Sequence, residues 1–431
     1  MTTTYTVTTI DPLGFGSGPA FVNSAGQLAG SYFLSDGSVR AFLFDNGNTI
    51  EIPPPAGAVQ VYPFVLSAAG DILGFYTDTA AQSHLFLYSN GTSTNIEPAG
   101  SGYSLPAYWA QNSLNAAGDV VGTSGVSGQG TNAFLYSNGT SGALPDPPGG
   151  NGSYANTIND AGQILVTSFE RRTIGGVLTG GWHTFLYANG TYTSAQPTGV
   201  VETSGQALLN SAGQVTGSYN DFISPYWTPY LYSGGTSVDI QPAEAHLDSF
   251  PVAINESGQV IGYYTTETDN VTYSHGFLYS AGTSISIPEL PGTTWSTAVA
   301  INASGQVIGN DFDGTHTHGF LYVDGSLTVV EPGAVASDAN AVNSAGQVVG
   351  EFFDGTYWHA YAYSGGAYVN IEPAGAVSSD ALLITDDGAI AGDYFDGTTS
   401  HTFFAKLSPL ISEAPGLTSC NNACNISHCE S

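Results

Sequence analysis

Basic residues are almost absent from this chain: Arg40, Arg171, Arg172 and Lys406 stand against 35 acidic residues, for a formal net charge of −31 over 431 residues. Without a basic patch nothing can displace counterions from phosphates, so nucleic acid is excluded as a partner and an anionic membrane surface is disfavoured. Cysteine is missing until Cys420, Cys424 and Cys429, all near the C-terminus, so the body must be held by packing rather than disulfides. No apolar run approaches the roughly 20 residues of a membrane-spanning helix. The opening MTTTYTVTTIDPLG has neither the basic start nor the apolar stretch of a signal peptide. No segment carries a 3.6-residue apolar period, which predicts minimal helix.

What the chain does have is repetition. One phrase recurs nine times: an apolar residue, usually Asn, two small or polar residues, Gly, then an apolar strand. It reads FVNSAGQLAG from Phe21, AINESGQVIG from Ala253 and AVNSAGQVVG from Ala341. Its shared glycines are Gly26, Gly70, Gly118, Gly162, Gly213, Gly258, Gly305, Gly346 and Gly388. A period near 45 residues marks stacked or radially arranged copies of one unit.

The unit near Ser337 shows the grammar. SDANAV reads as a strand. Asn343 to Gly346 reads as a turn, with Asn tolerant of left-handed backbone and Gly supplying positive φ. QVVGEFF reads as a second strand, DGT from Asp354 as a hairpin turn, HAYAY as a third strand and AYVNI as a fourth, ended by EPAG. Four short antiparallel strands per repeat predict an all-β fold, a β-propeller of four-stranded antiparallel blades. The ninth unit lacks a fourth strand, and TYTVTTIDPLG matches the missing pattern. Residues 4–10 are therefore expected to pair with residues about 401–406 and close a ring of nine blades. The propeller would occupy residues 1–408, followed by a Cys-containing tail at 409–431.

The repeat resembles the HAF family of extracellular repeats. The residues that carry the resemblance are His275-Gly276-Phe277-Leu278-Tyr279 after AINESGQVIG, and His318-Gly319-Phe320-Leu321-Tyr322 after AINASGQVIG. It extends from about residue 4 to 406 and implies an exported, bacterial, all-β repeat protein, extracellular or at the cell surface. Arg40, Asn132 and Thr228 replace the histidine in the first, third and fifth units.

Candidate chemistry lies where repeats deviate. The third-strand histidines His84, His183, His275, His318, His359 and His401 sit one unit apart, too far to share an ion with bonds of about 2.1 Å. They are read as structural, each bonding a backbone group within its own unit. Asp311, Asp313, His316 and His318 form a candidate metal set, and the Asp-x-Asp-Gly run makes calcium the one candidate cofactor. The turns offer a simpler explanation of Asp-Gly, and of Asn-Gly-Thr at Asn90, Asn138 and Asn189. Residues 97–112 and 168–182 read as enlarged loops. Within and beyond them, Tyr108, Trp109, Arg171, Arg172, Trp182 and Trp227 are candidate ligand contacts, with Tyr103, Tyr226 and Trp295 as further aromatic platforms.

Cys420, Cys424, His428 and Cys429 could hold zinc or form a disulfide, within the chain or between two chains. No Gly-x-Ser-x-Gly elbow or phosphate loop occurs. These observations lead to the expectation of a non-enzymatic repeat protein that binds a carbohydrate or protein ligand through its loops. One alternative is an assembly protein, a disulfide-linked oligomer joined through the Cys tail. The other is a polysaccharide lyase or glycoside hydrolase using paired carboxylates such as Glu244 and Asp248.

Overall fold

The computed structural model describes residues 4–407, apart from 11–13, 107–111, 127, 129, 175–176, 222–223 and 331–332. Tyr108, Trp109 and the Cys420–Cys429 cluster lie outside the described residues. The described chain is all β, with no helix. Its strands form five four-stranded antiparallel sheets and two eight-stranded ones. Each eight-stranded sheet is two successive repeats joined by one residue pair, Trp182 with Thr203 or Ser274 with Trp295. Units 1 to 9 below are numbered in chain order, starting from Phe15, Gln60, Tyr103, Gly150, Glu202, Ser249, Trp295, Ala336 and Ser378. In the ninth sheet the fourth strand is Tyr5–Ile10, which pairs antiparallel with Thr402 to Leu407.

The phrase residues form the strands for local reasons. The second strand ends its apolar run in a glycine that faces an aromatic of the third strand: Gly262 pairs with Phe277 and Gly309 with Phe320. A Cβ on Gly262 would lie 2.5 Å from the Phe277 ring, so the glycine makes room for the ring. Those rings are fully buried and enter apolar clusters shared by consecutive units. One such cluster joins the last unit to the first, with Ile10, Ala391 and Phe404 against Leu28, Tyr32 and Phe42. The Asn-Gly pairs also fold as expected: Asn90, Asn138 and Asn189 have φ near 50° in two-residue hairpins.

The asparagine of the phrase departs from expectation. Asn343 is absent from the left-handed backbone positions. Its Oδ1 accepts the N–H groups of Ala345 and Gln347, and its Nδ2 donates to Thr385 O of the next unit at 3.0 Å. Asn23, Asn159, Asn210, Asn255 and Asn302 likewise donate to Ser67 O, Asn210 O, Asn255 O, Asn302 O and Asn343 O. The side chain thus closes its own turn and latches it to the next unit. The glutamine after the shared glycine completes the latch. A Cβ on Gly305 would lie 2.7 Å from Gln259 Oε1 of the preceding unit. Gly305→Ala is therefore expected to cost about 1–2 kcal/mol through its φ of +81° alone, and more through displacement of Gln259, read as a lower urea midpoint.

Of the two expected loops, one is strand at nearly all its described residues and the other contains a short strand. Residues 168–182 extend a long hairpin, Ile164–Ile174 with Val177–Ala188, in which the backbone ladder continues past the usual turn from the Ser168–His183 pair to the Ile174–Val177 pair. Within 97–112, Tyr103–Leu105 is the first strand of unit 3.

Candidate functional site

In seven units the first strand is a sheet edge, paired on one side only, and in units 5 and 7 it is an edge but for one residue pair with the preceding unit. In a propeller that edge faces the axis. The first strands of units 3, 4 and 5 enclose a cleft of about 380 Å³, lined by Leu105, Pro106, Tyr154, Asn156, Ser204 and Gln206 among others, with Trp182 beside them. A second cavity of about 370 Å³ adjoins it and shares Tyr154 and Trp182, so these two rings form the partition. Trp182 is held edge-on between Tyr154 and Phe169, with centroids 5.4 Å apart in both cases. Among the described residues, no Asp, Glu, Lys, Arg or His lines either cavity. In a chain of net charge −31, the two cavities are therefore neutral at their described lining.

A bulge shapes the cleft. In units 2, 6, 7, 8 and 9 the first strand carries one extra residue, as between Ala298 and Ala300. In unit 5 the register jumps from Thr203–Tyr219 to Ala207–Gly217, leaving Ser204, Gly205 and Gln206 opposite Ser218 alone. Gly205 takes φ +74° at the crest, and Gln206 is exposed. Bulges re-aim side chains and leave backbone unpaired beside functional sites. Trp182 itself is half-buried, tied through Thr203 Oγ1, which donates to Trp182 O at 3.1 Å.

The other candidates disperse. Arg171 is exposed on the extended hairpin. Arg172 lies on the same strand, eleven residues long. Trp227 packs against Phe250, 6.3 Å between centroids. Asp248 accepts the Trp227 N–H, and Glu244 accepts from Ser286 Oγ, so both serve as local hydrogen-bond partners.

The structure does not gather Asp311, Asp313, His316 and His318 into one metal cluster. Asp311 is buried in a strand, where it accepts the Leu290 N–H, and burial raises its pKa. Asp313 closes its turn by accepting the N–H groups of Thr315 and His316, and it reaches His318 Nε2 at 3.4 Å. The third-strand histidines, expected to bond backbone groups, bond side chains of their own units. His84 lies between Glu97 at 3.1 Å and Asp78 at 3.4 Å, and His359 between Glu372 and Asp354. Burial works against the His359 imidazolium, but the two carboxylates outweigh it and raise its pKa.

One cluster went unread in the sequence. Asp338 pairs with Glu351 in unit 8, and Asp380 with Asp393 in unit 9. Asn340 Nδ2 donates to Asp380 Oδ1 at 2.8 Å across the interface. Burial, then the charges of Asp380, Asp338 and Asp393, push the Glu351 pKa up to about 8. Burial, then Asp393 and Asp338, push Asp380 up to about 7. The same positions in unit 7 are the neutral Thr297 and Asn310, so periodicity gave no signal.

No family model matches the chain, and no curated protein does. Among solved structures the chain is similar to dipeptidyl peptidase 4 of Porphyromonas gingivalis, at 10% identity and TM-score 0.50, over 92% of this chain and 62% of that one. It is similar to the β-propeller domain of the Trilobed protease from Pyrococcus furiosus, at 12% identity and TM-score 0.43, over 83% and 96%. A structure from an analysis of two prolyl endopeptidases matches at 11% and 0.47, over 89% and 55%. The chain thus spans 62% and 55% of the lengths of the dipeptidyl peptidase and the prolyl endopeptidase. The likeness itself shows the β-propeller fold. Its association with peptidases overturns the expectation of a non-enzymatic repeat protein that binds a carbohydrate or protein ligand.

Proposed function

We propose that this chain is the propeller part of a peptidase-related protein, a ring of nine blades closed by Tyr5–Ile10, whose axial cleft holds an uncharged stretch of extended peptide. The pairing of Tyr5–Ile10 with the ninth unit and the apolar cluster between the ninth and first units support the ring. The peptide reading takes its direction from the dipeptidyl peptidase likeness. The observation that carries it is the cleft: an aromatic wall of Trp182 and Tyr154 facing the bulged edge at Ser204–Gln206, with no ionisable group among its described residues but the Tyr154 phenol. An edge strand offers main-chain hydrogen bonds to an extended peptide, and the adjoining pockets select its side chains. In this reading the chain holds peptide, and a catalytic unit outside the described residues supplies bond cleavage.

The test is calorimetric titration with a doubly capped Ala-Ala-Pro-Phe peptide and its Asp-containing counterpart. The neutral peptide should bind the more tightly. Trp182→Ala should weaken it about tenfold or more, the loss expected of an aromatic anchor, while Trp227→Ala should not. Equal binding by Trp182→Ala, or preference for the acidic peptide, would defeat the reading.

A further inference from the structure

The latches between units are not continuous around the ring. Ser67 of unit 2 and Thr385 of unit 9 stand where the other seven turns have Asn, and Asp71, Asp119 and Ala389 stand where the other six have Gln. Ser67 Oγ accepts the Asp71 N–H, which closes its own turn. No side-chain bond among the described residues carries that turn over to Asn115 of unit 3. A Cβ on Gly118 would meet nothing within 4 Å, whereas at Gly258, Gly305 and Gly346 the preceding glutamine comes within 2.5–2.7 Å. Both halves of the latch are thus lost between units 2 and 3, as they are between the ninth and first units, where other contacts replace them.

The interfaces on either side differ. Asn23 latches unit 1 to unit 2 through Ser67 O, and Gln27 lies against Gly70. Unit 3 keeps Asn115, at 3.4 Å from Asn159 O, and adds Ala116 N–H to Asp160 Oδ1 at 2.8 Å. The ninth unit has Thr385 in place of Asn, but Lys406 Nζ fills the space at Gly26, and Tyr5–Ile10 and Ser17 tie that interface. Between units 2 and 3, the Leu85 N–H still donates to Ser104 Oγ at 2.7 Å, Ser141 Oγ still donates to Ile96 O, and an apolar cluster around Leu73, Leu85 and Phe134 remains.

We propose that the ring is built to open at the interface between units 2 and 3. The first strand of unit 3, Tyr103–Leu105, forms one wall of the neutral cleft, so opening there uncovers the cleft from the side. The opening itself does not depend on the peptide reading.

Hydrogen exchange on the full chain, without ligand, tests it. The Leu85 amide bonds across this interface as the Gly319 and Ala360 amides bond across theirs, to Ser337 Oγ and Ser379 Oγ. Leu85 should exchange about tenfold faster or more, since a missing latch bond shifts an opening equilibrium by about a decade. Installing the latch with Ser67→Asn and Asp71→Gln should slow Leu85 to the rate of Gly319. The reciprocal pair Asn302→Ser and Gln306→Asp should speed Gly319. Equal protection of the three amides in the wild type, or a Leu85 rate unmoved by the installed latch, overturns the proposal. Because no peptide enters this experiment, its failure and that of the peptide titration are separate.

Discussion

Asn302→Ala is expected to be among the most destabilising single changes in the chain, lowering stability by about 3 kcal/mol or more. Asn302 is buried and makes four bonds: it accepts from the Ser304 and Gln306 N–H groups and donates to Gln306 Oε1 and Asn343 O. Alanine leaves two part-buried N–H donors and two carbonyl oxygens, Gln306 Oε1 and Asn343 O, without this partner, at about 1–3 kcal/mol for each group that water does not reach. Asn302→Asp keeps the acceptor but loses the donor and buries a charge, so it should be no milder at pH 7. Urea unfolding followed by circular dichroism checks both. In a repeat array the damage should spread to units 7 and 8 first, giving a broadened transition rather than a shifted one. A loss below about 0.5 kcal/mol, the usual limit for surface substitutions, would mean the latch carries little.

Glu351→Gln should remove much of the pH dependence of stability between about pH 4.5 and 8. The folded pKa of Glu351 is raised from 4.5 to about 8 by burial and by its three acidic neighbours. The folded state therefore holds a proton that the unfolded state releases. The associated stability is complete below the unfolded pKa and is lost as pH rises through the folded one. Wild-type protein should become less stable across that window, and His359, also raised, adds to the same trend. Asp36, Asp78, Asp313, Asp354 and Asp396 have lowered pKa values, chiefly through turn hydrogen bonds, so their contribution is lost only at lower pH. With solvent screening of a partly exposed carboxyl, Glu351→Gln should gain about 1–2 kcal/mol at pH 8 and nothing near pH 4. Melting temperatures at the two pH values measure this. An unchanged slope would show that the cluster does not share protons.

What could be read beforehand follows from range. A strand is written in alternation and a turn in three or four residues, so Gly262, Phe277 and the Asn-Gly hairpins announced themselves. The pairing of Tyr5–Ile10 with the ninth unit was legible because the repeat counted its own strands and found one missing. The extension of residues 168–182 into a ladder was misread, since its Gly-rich composition signals loop while its partner strand supplies the missing support.

The candidate site was legible only in part. Trp182 stood out as an aromatic in an irregular segment, and the structure places it in the cleft wall. Ser204, Gly205 and Gln206 carry no local signal, because a bulge is a mismatch between two strands and neither strand shows it alone.

By itself the sequence determined the strand order, the turns, the absence of helix and a body without disulfides. Only the tertiary structure decided which residues meet across units: the Asn302 side chain on Asn343 O, Glu351 beside Asp380, and Trp182 against Tyr154. The reason is physical. Backbone pairing is fixed by neighbours in the chain. Burial, charge coupling and the latches arise from groups about a repeat apart, which meet only once the units pack side by side.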